Sequence, residues 1–435
     1  MESVNVAVIG FGTVGTGVAR ILLEGGDALA ARAGVRLNLK YICDTDLTRP
    51  RGLQTPPDVL TDSLDRVLSD GSVQIVCELV GGTRIAFDIV EKALRAGKNV
   101  VTANKALLAE RGMPLLKLAA ECDRSIAFEA SVAGGIPLLL SVRDGLVANR
   151  ISSVTGIVNG TCNYILTHMT DGGLSYEQAL AEAQQKGYAE ADPTLDVGGG
   201  DSAHKLTILS WLAFGSPVGF EDVYCEGIDR IQPADIRFGL ELGYRIKLLA
   251  IGRRNGGGCL SLRVHPAFVP RSNPLAHVSG AYNAVMVRGD AVGDTLYYGL
   301  GAGQMPTASA VVADLVDTAL GRMGITFKRR QLFCDAAATV RGIDEISSRY
   351  YLRFEVLDRP GVLAAITGVL GRHDISIASC LQHEPIDATH VPLIIMTHLA
   401  REGNLRRALA EIGSLDTVRP DPATIRVIDD EERPQ

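Results

Sequence analysis

The stretch Val4-Asn5-Val6-Ala7-Val8-Ile9-Gly10-Phe11-Gly12-Thr13-Val14-Gly15 decides the fold of this chain. Val4 to Ile9 is a β-branched run and predicts a strand. Thr13 to Leu23 follows with apolar residues at helical spacing, Val14, Val18, Ile21 and Leu22. Gly10, Gly12 and Gly15 stand between them, and each has a job in a dinucleotide-binding turn. The first permits the tight turn, the second lets a pyrophosphate approach backbone, and the third permits close packing of helix on strand. The helix N-terminus then presents N–H groups and a partial positive charge to phosphate. Three glycines alone are a weak signal; a strand before and a helix behind make it specific.

Outward from that turn, strand-like runs continue at Leu37 to Cys43, Val73 to Val80, Asn99 to Thr102 and Ser125 to Phe128. Helices are expected to begin near Thr83 and Pro114. Alternation of this kind implies an α/β domain with a parallel sheet of Rossmann type. Asp44, after the second strand, is the candidate for the ribose hydroxyls and would favour NAD by repelling a 2′-phosphate. Arg49 and Arg51 follow closely and could instead receive that phosphate, so both NAD and NADP stay open.

The chain has 435 residues, which predicts two or three domains. A net charge of -7 is small for this length and gives no reason to expect nucleic acid or an anionic membrane surface as partner. The eight cysteines, Cys43, Cys77, Cys122, Cys162 and Cys380 among them, form no CxxC pair and match no zinc spacing. No apolar span is long enough to cross a bilayer, and no signal peptide opens the chain, so a cytoplasmic location is expected.

From about Ile151 the texture changes to a strand followed by longer helices, with strand-like runs at Leu260 to Val264 and Ala284 to Arg288, and a helix from Thr307 to Leu320. This predicts a second, α+β domain. Two segments concentrate chemistry. Thr102-Ala103-Asn104-Lys105 lies just after a parallel strand, at the edge where α/β sheets bind ligands; taken alone, Lys105 reads as a solvated lysine at a helix start. The second segment runs from Gly187 to Lys205 and holds Glu190, Asp192 and Asp196 in a Gly/Pro-punctuated loop. Asp201 and Lys205 are one helical turn apart. An N-cap with a surface ion pair would account for those two, but not for the three further acids. A lysine of lowered pKa could protonate the alkoxide left by hydride reduction of a carbonyl, and the carboxylates could hold a cationic substrate.

With these residues in view, the chain resembles homoserine dehydrogenase over essentially its whole length. The resemblance is carried by the nucleotide turn, by Thr102 to Lys105, by Phe128-Glu129-Ala130-Ser131-Val132-Ala133-Gly134-Gly135-Ile136-Pro137, by Gly156 to Thr161, and by the signature from Ala183 through Gly187 and Asp196 to Lys205. Gly299 to Thr307 is similar to the family's return to the cofactor, with Leu300 where a proline is usual. The resemblance implies reduction of aspartate 4-semialdehyde to homoserine with NAD(P)H. It makes Lys205 the proton donor, places Lys105 at the substrate carbonyl and near the nicotinamide, and gives substrate binding to Glu190 and Asp201, the latter also counted with the catalytic groups. Asp196 is a further substrate contact. The cofactor set becomes Gly10, Phe11, Gly12, Thr13, Val14, Gly15, Asp44, Thr102, Lys105, Gly187 and Gly303. Glu129, with the carbonyls of Val132, Gly134 and Ile136, resembles a monovalent cation site, usually sodium; a purely structural turn is the alternative. Cys43 stands where a basic residue is common, so NADP preference is not inherited. His204 reads as an ordinary helix residue.

Beyond a polar linker, the order of elements from Tyr350 to Ile428 is βαββαβ, which suggests a ferredoxin-like unit. Leu357-Asp358-Arg359-Pro360-Gly361-Val362 resembles the strand-to-helix turn of an ACT domain, implying threonine as a feedback effector, or a module that only dimerises. The expected division is 1–135 with 300–325 for the nucleotide domain, 136–299 for substrate binding and dimerisation, 326–348 for the linker and 349–430 for the ACT domain. A homo-oligomer, dimer or tetramer, is expected, with a disordered acidic tail after Ile428. Two rivals remain: aspartate-semialdehyde dehydrogenase with Cys162 as nucleophile, and a catalytically silent amino-acid sensor.

Overall fold

The structure, a computed structural model, describes residues 1–329, 338–382 and 390–428. The chain divides into two compact units. The first comprises Met1–Ser152, His204–Glu221 and Val285–Ala338; the second comprises Ser153–Ala203, Asp222–Ala284 and Thr339 onward.

In the first unit, β1 (Glu2–Ile9) is followed by α1 (Thr13–Glu24) and the short α2 (Gly26–Ala33). Next come β2 (Val35–Cys43), β3 (Leu60–Thr61), α3 (Leu64–Ser69), β4 (Ile75–Glu78), α4 (Arg84–Arg95), β5 (Asn99–Thr102), α5 (Lys105–Glu121), β6 (Ile126–Ala127) and α6 (Leu138–Leu140). The sheet order is β3-β2-β1-β4-β5-β6, all parallel. Chain order reverses between β1 and β4, and the crevice at that reversal is where open α/β sheets take ligands. The core forms because Val4, Val6 and Val8 meet Val18 and Leu22 of α1. Ala308, Val311 and Leu315 complete it from α12 (Gln304–Ala319), a helix that returns from far along the chain and is followed by α13 (Arg322–Arg329).

The second unit holds α7 (Gly160–Gly172), α8 (Tyr176–Gln185), α9 (Thr194–Val197), α11 (Pro233–Glu241), α14 (Val362–Arg372) and α15 (Glu402–Ile412). Between α9 and α11 lies α10 (Gly200–Phe214), which starts in the second unit and continues in the first. The second unit's strands are β7 (Ile151–Ile157), β8 (Tyr224–Cys225), β9 (Tyr244–Arg254), β10 (Leu260–Pro270), β13 (Ser347–Leu357), β14 (Ile377–Gln382), β15 (His390–Thr397), β16 (Ala400–Arg401) and β17 (Ala423–Val427), while β11 (Tyr282–Gly289) starts in this unit and continues in the first, which also holds β12 (Gly293–Leu300). Within this unit β7, β9, β10, β17, β13, β15 and β14 are neighbours in that order. The last four form the βαββαβ module with α14 and α15, over a core of Tyr350, Leu352, Phe354, Ile366, Leu370, Ile395 and Leu405.

The C-terminal module joins the sheet of its unit, because β17 pairs in parallel with β10 (Ala267 with Arg426, Phe268 with Val427). Part of the expected linker is ordered beside it: Leu260 N–H donates to Thr339 O at 2.9 Å, and Arg341 N–H to Leu260 O at 2.8 Å. The helix expected near Pro114 starts at Lys105 instead, because Asn104 caps it and Pro114 is accommodated inside. A proline reads as a first-turn residue, yet here the cap upstream set the start. The tail beyond Ile428 lies outside the described residues.

Candidate active site

The nucleotide turn is built by backbone constraint. Gly10 has φ +100 and donates to Cys43 O at 2.8 Å. A Cβ on Gly15 would stand 2.0 Å from Gly10 O, so only glycine allows α1 to start this close to β1. The N-cap of α1, Gly12, supplies no side-chain cap, which leaves first-turn N–H groups for an anion. Space beside Gly12 is open. Thr13 and Val14 open the helix. Asp44 does meet the turn, but through protein: its Oδ2 accepts the Phe11 N–H at 2.5 Å. Arg51 braces the same residue, donating from Nε to Phe11 O at 2.6 Å with its guanidinium 4.6 Å from the Phe11 ring centroid. Arg51 Nη2 is 3.8 Å from Asp44 Oδ1. Asp44 and Arg51 therefore form one latch on the turn.

At the end of β5, Thr102 and Asn104 are fixed by a residue that sequence reading passed over. Glu78, fully buried at the end of β4, accepts the Thr102 hydroxyl at 2.7 Å and the Val80 N–H at 2.9 Å. Burial pushes its carboxyl up. Thr102 Oγ1 accepts Asn104 N–H at 3.0 Å, and the Asn104 side chain caps α5 through Leu107 N–H at 3.0 Å. Lys105 is consequently the first residue of a rigidly anchored helix. A buried acid at the C-terminal end of a parallel strand is the signal that could have found Glu78.

Lys205 lies on α10 and is 8% exposed. α10 packs tightly on α5: a Cβ on Gly112 would come within 2.9 Å of the Trp211 ring. His204 Nε2 stands 3.5 Å from Glu110, and its ring lies 4.5 Å from Phe220, so His204 is a packing residue of that helix pair. The helices that bear Lys105 and Lys205 are thus locked together within the first unit.

In the second unit, the carboxylates of the signature loop separate into three. Asp192 is spent on its own turn, accepting Thr194 N–H at 3.1 Å and Thr194 hydroxyl at 2.6 Å, which hold its carboxyl below the usual range. Glu190 is exposed, with its carbonyl taking Gln184 Nε2 at 3.1 Å. Asp196 and Asp201 are brought together by Asn159, whose Nδ2 donates to Asp196 Oδ1 at 2.7 Å and Asp201 Oδ2 at 2.8 Å. Asp201 is 1% exposed. Gly187 ends α8 at φ +75. Cys162 Sγ donates to Asp196 O at 3.2 Å from a buried position.

The Glu129 loop belongs to the first unit. Glu129 Oε1 accepts Leu139 N–H at 2.9 Å and Oε2 accepts Leu140 N–H at 2.6 Å, so the carboxylate caps α6. Its backbone N–H donates to Asp314 Oδ2 at 2.7 Å. Burial pushes the Glu129 carboxyl up to about 7, and burial plus the Glu129 charge pushes Asp314 well up. Val132, Gly134 and Ile136 follow, with the Ile136 carbonyl accepting Leu138 N–H at 2.7 Å. A Cβ on Gly134 would strike Gly301 O at 2.6 Å, and Gly135 N–H donates to Leu300 O at 3.0 Å. Leu300 thus meets the loop through its carbonyl, and Gly303 (φ +129) begins α12 just beyond. Among the described residues no cluster of three or more His, Cys, Asp or Glu side chains is arranged to hold a metal, and no helix is long and apolar enough to cross a membrane.

Three family models match the chain: "Homoserine dehydrogenase, NAD binding domain" over residues 10–129, "Homoserine dehydrogenase" over 137–316 and "ACT domain" over 350–417. A homoserine dehydrogenase of Neisseria gonorrhoeae is 43% identical over 435 residues, covering 98% of this chain and 99% of its own. The crystal structure of a homoserine dehydrogenase from Thiobacillus denitrificans superposes with a TM-score of 0.92 at 43% identity, covering 99% of each chain. A hyperthermophilic archaeal homoserine dehydrogenase in complex with NADPH aligns with a TM-score of 0.63 at 28% identity, over 73% of this chain and 98% of that one.

Proposed function

The chain belongs to the homoserine dehydrogenase family, and from that premise we propose which of its residues carry the reduction of L-aspartate 4-semialdehyde to L-homoserine. Lys205 is the proton donor. When bound, the nicotinamide supplies hydride to the aldehyde carbon. Lys205 protonates the carbonyl oxygen as it gains negative charge, and takes that proton back in the oxidation direction. Lys105 polarises the same oxygen. Asp201, assisted by Asp196 and Glu190, holds the substrate ammonium. The observation that carries this reading is the buried Lys205, set one turn after a buried Asp201 on a helix that also packs against the one starting at Lys105.

The uncapped α1 N-terminus and the open space beside Gly12 suit a pyrophosphate. The cofactor set is Gly10 to Gly15, Asp44, Thr102, Lys105, Gly187 and Gly303. NADPH, carried by the archaeal relative, is the reading favoured here, with Arg51 next to Asp44 to meet a 2′-phosphate. Glu129 and the carbonyls of Val132, Gly134 and Ile136 would hold a monovalent cation, sodium. The support is the buried Glu129–Asp314 pair, whose negative charge such an ion would offset, and its contribution would be to brace the loop. The ACT domain would take threonine as feedback inhibitor, in a dimer or tetramer. We divide the chain as 1–135 with 300–325, 136–299 and 349–430.

Lys205→Ala should abolish turnover of aspartate semialdehyde with either NADH or NADPH while leaving cofactor affinity within about twofold. Normal turnover by that variant would overturn the mechanism. Unchanged activity across a threonine titration of the full-length protein would remove the regulatory part alone.

A further inference from the structure

The position of Asn159 carries an assignment that the motif around it did not. It follows β7 in extended conformation and caps α7, its Oδ1 accepting the Cys162 N–H at 2.8 Å. That bond fixes the orientation of the amide: oxygen toward the helix, nitrogen toward Asp196 and Asp201. The reverse orientation would set an amide oxygen against two carboxylates. Asn159 is 4% exposed, so water is no ready substitute for its two N–H donors. Both hydrogens diverge from one nitrogen at about 120°, so the two accepting oxygens are held roughly 5 Å apart.

We propose that Asn159 is a positioning residue whose single amide group sets the spacing of Asp196 and Asp201, so that the pair receives the ammonium group of the amino-acid substrate. The proposal rests on the reading that Asp201 binds that ammonium. Two like charges at this distance would otherwise separate or share a proton. A neutral donor shared between them fixes the spacing without supplying a competing positive charge. A lysine or arginine here would occupy the place the substrate amine is to take. The cap and the clamp are chemically separable. Aspartate is as good an N-cap as asparagine, but it has no N–H to give and adds a third carboxylate beside Asp196 and Asp201.

The test compares Asn159→Asp, Asn159→Ser, Asn159→Ala and Asp201→Asn in the full-length protein, with KM for aspartate semialdehyde and Kd for NADPH measured from pH 6 to 9. Asn159→Asp should raise KM about 10-fold to 100-fold at high pH, leave Kd for NADPH within about twofold, and unfold no earlier than Asn159→Ala. On acidification one of the three carboxyls takes a proton and regains an O–H donor, so KM of Asn159→Asp should fall back toward the parent value. Asn159→Ser keeps the cap without the donors and should show the raised KM with no such recovery. An unchanged KM in Asn159→Asp at high pH, or a rise that acid does not reverse, would overturn the proposal. If Asp201→Asn left KM untouched, the substrate reading itself would fail; if only Asp201→Asn raised it, the clamp alone would fail.

Discussion

The Glu129–Asp314 pair of the first unit and the Arg426 cluster of the second both bury ionisable groups, and they handle the charge in opposite ways. Arg426, 4% exposed, is bracketed by two carboxylates: Nε and Nη2 reach Glu402 at 2.9 and 2.6 Å, and Nη1 and Nη2 reach Glu226 at 2.6 and 3.1 Å. Tyr350 donates its hydroxyl to Glu402 at 2.8 Å. The hydrogen bonds to both glutamates push the guanidinium further up despite burial, and Arg426 draws Glu226 below its ordinary value. Glu129, by contrast, has its two oxygens satisfied by backbone N–H groups and shares its surroundings with a second buried acid. Both its carboxyl and that of Asp314 are pushed up. A cluster closed by fixed opposite charge behaves as a lock. One closed by N–H dipoles stays responsive to protons.

The largest effect should come from opening the lock. Arg426→Met would strip Glu402, 3% exposed, of its two shortest guanidinium bonds and leave it the longer contact to Arg406 Nε at 3.6 Å. Removing one member of a buried pair costs about 3–5 kcal/mol, so the urea midpoint should fall sharply. Adding Glu402→Gln and Glu226→Gln should recover much of the loss, because the cost is the stranded charge. A loss under about 1 kcal/mol for the single variant would break the comparison.

The acid pair predicts a smaller, pH-dependent effect. Glu129 rises from 4.5 to about 7 on folding. A raised folded value means its contribution to stability is fully present below about pH 4.5 and is lost as pH rises through about 7, a change on the order of 3 kcal/mol. Glu129→Gln should flatten the dependence of the unfolding midpoint over that window. If sodium is held there, sodium chloride should stabilise the parent more than choline chloride does, and more at pH 8 than at pH 5. Equal effects of the two salts at both pH values would dismiss the cation.

Much of this was legible from sequence, for identifiable reasons. The strand-turn-helix at Gly10 to Gly15 is local, so periodicity and three glycines sufficed, and the βαββαβ module announced itself by alternation. Asp196 and Asp201 were readable as candidates because acids in a Gly/Pro-rich loop are conspicuous. Glu78 and Asn159 were not, because what makes each matter is a partner distant in sequence: Thr102 for Glu78, and the Asp196–Asp201 pair for Asn159. The same holds for Arg426, which reads as an alternating strand arginine until β17 pairs with β10 and turns it inward. Asp44 directly follows β2, and its bond to Phe11 N–H gives it a bracing task that a ribose-binding motif does not announce.

The smallest expected effect isolates what makes the lock a lock. Arg419 Nη1 lies 2.5 Å from Glu355 Oε2, closer than Arg426 comes to either of its glutamates. Distance alone would rank this pair as the stronger. Its side chains, however, are 47% and 29% exposed, against 4% and 4% for Arg426 and Glu402. Water screens the pair in the folded state and solvates either charge left alone when its partner is removed. Glu355→Gln should therefore cost about 0.5 kcal/mol or less, and the cost should shrink further in high salt as the screening length shortens around exposed charges. Arg426→Met should keep most of its cost in the same salt, since Arg426 and Glu402 are buried away from the screening ions. Equal salt sensitivity of the two variants would mean that burial is not what separates the Arg426 lock from the exposed Arg419–Glu355 pair.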